Sequence, residues 1–293
     1  TMEVPNVRRG LHYVAAHEIR RSFPVSTARG RQGSTVAGMS EYIYPGAHSD
    51  IGGGYSPRDQ GKAIGGRSHL LSQIALNDMH FEAINAGVEL RRKDQMLDEA
   101  EDFTVAPELD AAFSAYTRWT AAEEKGEDVA VSSNTHVENR MQSHMHLYWR
   151  WRASKRTDEQ FKRMTSYQSA TDQDKTDLWE AELDFRDDVE RARRAVTRPS
   201  SPKARISPVM RQLHYNVNLQ ATIPPMVDAF FDQRVHDSHA GFWMLSPITQ
   251  YDKNVFANEI RARQASHDSL MRMSQHSKNL GDHSSASDLE QQA

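Results

Sequence analysis

The chain has 293 residues, no cysteine, and 36 Lys+Arg against 40 Asp+Glu, for a formal net charge of −4. That length admits two domains of about 150 residues, or one α/β domain with a large insertion. Disulfides and thiolate metal sites are excluded, the slight acidic excess argues against a dedicated nucleic-acid binder, and no apolar run approaches the ~20 residues that span a bilayer.

The first residues hold no signal-peptide h-region. Val7–Phe23 has Leu11, Val14, Ala15 and Ile19 at helical spacing opposite Arg8, Arg9, Glu18, Arg20 and Arg21, which predicts an amphipathic helix ended by Pro24. A patterned segment so soon after Thr1-Met2 suggests a piece of a larger protein. A linker with Gly30, Gly33 and Gly38 follows, then MSEYIYPG, read as a strand closed by Pro45-Gly46. Ser68–Gly87 predicts a second helix with Leu71, Ile74, Ala75, Met79 and Ile84 on one face. This alternation is that of an α/β layer.

From Arg91 to Arg205 charges become dense and strand signals stop. Leu109, Ala112, Phe113, Tyr116 and Trp119 share one helical spacing, and Leu178, Leu183, Phe185 and Val189 a looser one. LWEAELDFRDDVERARRAV is a charge-laced surface helix, and Pro199 and Pro202 close the block. The segment fits a helical insertion. From Ser266 onward Ser, His, Asp and Gln dominate, the composition of a weakly ordered tail.

Two segments could carry chemistry. After the predicted strand comes Gly46-Ala47-His48-Ser49-Asp50-Ile51-Gly52-Gly53-Gly54-Tyr55. A carboxylate beyond a strand's C-terminal end, among glycines that bring backbone N–H groups close to a ligand, is placed for a site. It is equally compatible with a tight turn capped by its Asp. The second segment, Val235-His236-Asp237-Ser238-His239-Ala240-Gly241-Phe242, follows an apolar run. A histidine there can reach a cleft while a carboxylate orients it, as a general base requires, or it is a surface histidine in a polar loop.

Taken together, GAHSDIGGGY and VHDSHAGF resemble the α/β-hydrolase domain of bacterial type VI secretion lipase effectors, the GxSxG-class phospholipases. HYVAAHEIRRSFP at 12–24 resembles the helix before that family's acid strand, and LLSQIALNDMHFEAINAG its next helix. The resemblance spans 7–90 and 208–245. It implies an α/β-hydrolase core at 1–90 and 206–265, a helical insertion at 91–205 serving as lid or membrane-contact module, and a polar tail at 266–293. It matches Asp50 to the triad acid and His236 to the base, with His48 and Asp237 as rival assignments. The implied activity is phospholipase A-type hydrolysis of acyl esters through a Ser-Asp-His triad, without a cofactor. An antibacterial effector of this kind is carried by a secretion spike protein, blocked by an immunity protein, and delivered to the target cell's periplasm. There it is soluble and touches phospholipid membrane peripherally.

No G-x-S-x-G occurs in the sequence. The nucleophile and the oxyanion-hole loop precede the acid in this fold. The expectation is therefore the C-terminal part of such an enzyme, its serine elsewhere and the fragment inactive by itself. The alternative is a non-catalytic hydrolase-like module that binds a lipid or protein, or a metal or phosphate site built on the glycine loop. His136, His144 and His146 are near in sequence, but an i,i+2 spacing on a helix points His144 and His146 apart. Leu147-Tyr148-Trp149-Arg150-Trp151-Arg152, with Lys155 and Arg156, suits either a lipid interface or a helix packing its Trp residues inward. Ile223-Pro224-Pro225-Met226-Val227 could line an acyl entrance or sit in the core.

Overall fold

The N-terminal segment forms a strand. In the computed structural model, residues 8–19, 28, 36–126, 136–198, 208–219 and 222–241 are described. Within them β1, Gly10–Ala15, pairs in parallel with β2, Met39–Tyr44, with Gly10 opposite Met39 and Ala15 opposite Tyr44. The helix expected over Val7–Phe23 is thus corrected at 10–15; residues 20–23 lie outside the described residues. A parallel strand is covered on both faces, so it reads as a nearly continuous apolar run rather than a clean alternation. Leu11, Tyr13, Val14 and Ala15 meet that requirement and match a helical spacing by coincidence. Tyr and Val also favour the pleated surface. Cross-strand pairs reinforce the register: His12 Nδ1 lies 2.9 Å from Glu41 Oε1, and the Tyr13 ring stacks on Tyr44 at 4.7 Å.

The rest is helical: α1 (His48–Gly52), α2 (Ser72–Asn85), α3 (Pro107–Gly126), α4 (His136–Ser154), α5 (Asp158–Lys162), α6 (Thr165–Ser169), α7 (Asp172–Thr197), α8 (Pro208–Asn218) and α9 (Pro225–Gln233). The described residues are therefore mostly helical, with a small two-stranded parallel sheet. Helix α2 ends at a left-handed Gly87, φ +88°. Of its expected face, Leu71, Ile74 and Ala75 are buried but Met79 is exposed, and His80 turns inward against Phe103 instead. The side-chain oxygens of Thr157 and Thr171 cap α5 and α7, each accepting a backbone N–H at 3.1 Å. On α7, Leu178 is buried and Leu183 exposed, so the inward stripe passes through Ala181 and Glu182.

The main core is built from the helices, with Tyr44 of β2 packed against it, and Ala192, Leu213 and Val217 form a second, smaller cluster. Leu71 and Ile74 of α2 pack with Leu109 and Tyr116 of α3, Tyr148 and Trp151 of α4, and Phe230 and Phe231 of α9. The aromatic and cationic segment of α4 faces this core. Trp151 is 3% exposed and its Nε1 donates to Asp228 Oδ1 at 2.7 Å, Trp149 is partly buried, and Arg152 is 4% exposed. A lipid-facing role for Trp151 is therefore corrected: an indole this deep does not reach a membrane surface. Val227 is likewise fully buried, which places it in the core rather than at an entrance. Residues 242–293, including the expected tail, lie outside the described residues.

Candidate active site

The acid loop is built by its immediate neighbours. Parallel pairing continues past the strands, with Ala16 N–H donating to Tyr44 O and His17 N–H to Gly46 O, each at 2.9 Å. The turn at Pro45-Gly46 is thereby fixed to the end of β1. Gly46 has φ +126°, and a Cβ there would lie 2.6 Å from Asp50 Cβ, so only glycine fits both the backbone and the space. Asp50 sits in the first turn of α1, 2% exposed, and its Oδ2 accepts the Ala47 N–H at 2.9 Å. Beneath the turn, His17 Nδ1 accepts the Gly46 N–H at 2.9 Å, which assigns the proton of the neutral ring to Nε2. The Tyr116 hydroxyl is 3.5 Å from that Nε2 and 2.9 Å from His144 Nδ1. Burial, with His144 nearby, keeps His17 well below the usual imidazole range; burial and Arg140 lower His144 to about 4. Both rings are structural and neutral near pH 7.

The base loop follows α9 and is held from afar. Lys62 Nζ donates to the carbonyls of Phe231 (3.2 Å) and Asp232 (2.5 Å), closing the C-terminal end of α9 with a positive charge. Burial brings this amine down to about 8, partly opposed by Asp232, Asp50 and Asp237. The Gln60 side chain donates to Asp237 O and accepts Asp237 N–H, both at 2.8 Å. Arg152 pairs with the Asp237 carboxylate and with Glu182 (2.8 and 3.1 Å), and also donates to Tyr148 Oη at 3.1 Å. Burial would raise the Asp237 carboxyl, but the Arg152 guanidinium and His239 together outweigh it and hold the group below its ordinary value. Asp237 Oδ1 also accepts the His239 N–H at 2.9 Å.

Between the loops, His236 Nδ1 lies 2.6 Å from Asp50 Oδ1, and His236 N–H donates to Asp50 Oδ2 at 3.1 Å. A carboxylate on Nδ1 fixes that nitrogen as the donor and leaves the Nε2 lone pair outward. Nε2 is buried and has no hydrogen-bond partner among the described residues. The Tyr55 ring lies parallel on the imidazole, 12° off and 3.9 Å between centroids. Such a dyad can accept a proton at Nε2 while the carboxylate holds the tautomer.

The rival residues are engaged differently. His48 Nδ1 meets Glu18 Oε2 at 2.5 Å, and Ser238 Oγ donates to Glu18 Oε1 at 2.9 Å, a staple between the ends of both loops. Asp237 belongs to Arg152. The N–H groups of Gly53 and Gly54 both go to Ser49 O (3.1 and 2.9 Å), so they are not presented to a ligand. Among the described residues no group of three His, Asp or Glu is arranged to hold a metal ion; the side chain of His136 lies outside them, and His144 is buried against Tyr116. Sequence reasoning missed Gln60 and Lys62, which no motif marks, and on either of its readings of the α4 segment left Arg152 at the surface.

Asp50 and His236 thus form a buried carboxylate–imidazole pair whose far nitrogen has no hydrogen-bond partner among the described residues. Residues 1–82 match the family model described as "T6SS, Phospholipase effector Tle1-like, catalytic domain". That match supports a type VI secretion lipase effector; it includes Asp50 and stops before His236. No curated protein matches the chain. Among solved structures, a crystal structure of an uncharacterized protein from Pseudomonas aeruginosa is 27% identical with a TM-score of 0.48, over 80% of this chain and 32% of that one. The chain thus spans about a third of that protein's length. Among the described residues no helix is long and apolar enough to cross a membrane.

Proposed function

We propose that this chain contributes the acid and base of a Ser-Asp-His triad in an α/β-hydrolase domain that cleaves phospholipid acyl esters, with the serine supplied from outside these 293 residues. The observation that carries the reading is the 2.6 Å contact between Asp50 Oδ1 and His236 Nδ1, with Nε2 buried and unpartnered. In the first half-reaction His236 Nε2 takes the proton of the attacking serine hydroxyl as the Oγ–acyl carbon bond forms. It then returns that proton to the departing alcohol as the ester C–O bond breaks. Asp50 stays ionised and stabilises the imidazolium in both transfers. In this reading residues 1–90 and 206–265 make the hydrolase core, 91–205 the helical insertion and 266–293 a polar tail. By itself the chain turns over no ester, because nucleophile and oxyanion hole are missing and supply the largest electrostatic contribution. An antibacterial role in the target-cell periplasm, a spike carrier and an immunity protein follow from the family resemblance.

The test is a phospholipase A assay on a polypeptide that joins this chain to its G-x-S-x-G segment. Asp50→Asn and His236→Ala should each lower kcat by about 10⁴ while leaving circular dichroism and Tm near wild type. Full activity in either variant rejects the assignment. Hydrolysis by the 293-residue chain alone would show that the nucleophile lies inside it.

A further inference from the structure

The Gly-rich loop delivers an aromatic ring, where its composition suggests an anion cradle. Gly53, at φ +83°, closes α1 in the left-handed conformation. Gly54 then packs against Ser49 so tightly that a Cβ would come within 2.8 Å of Ser49 Oγ. Together they fold the chain back so that Tyr55 covers the face of the His236 imidazole, 3.9 Å away and 12° from parallel. Asp50 meets the same ring at its Nδ1 edge.

The other charged groups around the imidazole are committed to partners of their own. Asp237 is bound to Arg152 and the His239 N–H, Lys62 to the carbonyls ending α9, and Glu18 to His48 and Ser238. Among the described residues Tyr55 is thus the aromatic ring on the imidazole's face, and Asp50 the charge hydrogen-bonded to its edge.

Resting on the reading of His236 as general base, we propose that Tyr55 is a positioning residue: its π face fixes the plane of the imidazole and stabilises the imidazolium over the neutral ring. The face of an aromatic ring is negative, so it attracts a cation far more than a neutral heterocycle, and burial strengthens the attraction. A general base becomes a cation only as the reaction proceeds, so this contact is stronger in the transition state than in the ground state. Stacking also opposes rotation about Cβ–Cγ, which keeps Nδ1 on Asp50 and Nε2 aimed in one direction.

The experiment is an NMR titration of the His236 imidazole in the full 293-residue chain, which needs no catalytic turnover. Tyr55→Phe keeps the π face and should titrate as wild type. Tyr55→Leu, and pentafluorophenylalanine incorporated at position 55, should each lower the midpoint by about one pH unit. The fluorinated ring preserves shape and packing while reversing the quadrupole, so it decides the matter even if the Leu variant fails to fold. An unchanged midpoint with the fluorinated ring overturns the proposal, as does a Phe variant that shifts as much as the fluorinated one. Asp50→Asn separates the two readings. If it lowers the midpoint while the Tyr55 variants do not, the base assignment stands and Tyr55 has no such role. If it leaves the imidazole unchanged, the dyad fails, and Tyr55 with it.

Discussion

The loop that carries Asp50 is held by its own turn and by His17, 29 residues before Gly46, and the loop that carries His236 by residues much farther away. Asp50 is bonded by Ala47, 3 positions earlier, and is backed by a Gly46 whose conformation admits no side chain. Asp237, next to the base, is bonded by Arg152 and Gln60, 85 and 177 positions away. The two halves of one dyad therefore tolerate change differently. The acid loop breaks through backbone geometry, the base loop through loss of buried polar partners on other elements. The helical block formed by α4 and α7 thus stabilises the site, through Arg152 and Glu182.

The contrast is broken most severely at Arg152. Arg152→Met strands the buried Asp237 carboxylate and leaves Glu182 with Arg186 as its remaining cation, and should destabilise by about 3–5 kcal/mol, read by urea denaturation. Arg152→Lys keeps a charge without the planar fork and should recover part of that loss. A wild-type midpoint for Arg152→Met would mean that the base loop does not depend on the helical block.

Acid should loosen the other half. His17 and His144 are neutral in the folded protein, their pKa values lowered from the ordinary 6.5, His144 to about 4. Between those limits the unfolded chain binds protons that the folded chain does not. Stability is therefore full above pH 6.5 and falls as pH drops toward 4, by up to about 3 kcal/mol for His144. Tm measured against pH should show this slope, and His144→Gln should flatten it. A slope unchanged by the substitution would remove this pair from the acid response.

Gly46→Ala forces a side chain into a left-handed backbone and against Asp50, at a cost of about 1–3 kcal/mol. The downfield proton signal of the His236–Asp50 hydrogen bond should weaken with it; a retained signal would show that the turn can relax. Trp151→Phe should have the smallest effect, about 1 kcal/mol, by losing the bond to Asp228. It should leave binding to anionic phospholipid vesicles unchanged. A large drop in vesicle binding would restore the membrane-facing reading of this helix.

The sequence by itself determined the acid loop and the local elements around it. β2 ended by Pro45-Gly46 and α2 ended near Gly87 were legible, because turn chemistry and periodicity act within a few residues. It also pointed to the family, whose match lies over residues 1–82. Tertiary structure alone decided that Gly10–Ala15 is a strand, since its backbone groups are satisfied by a parallel partner 29 residues on. It alone turned Arg152 from a surface cation into the buried counter-ion of Asp237, and Tyr55 from the end of a glycine run into a cover for the imidazole. The last two roles depend on partners brought together by folding across 85 and 181 residues, separations at which no local pattern carries information.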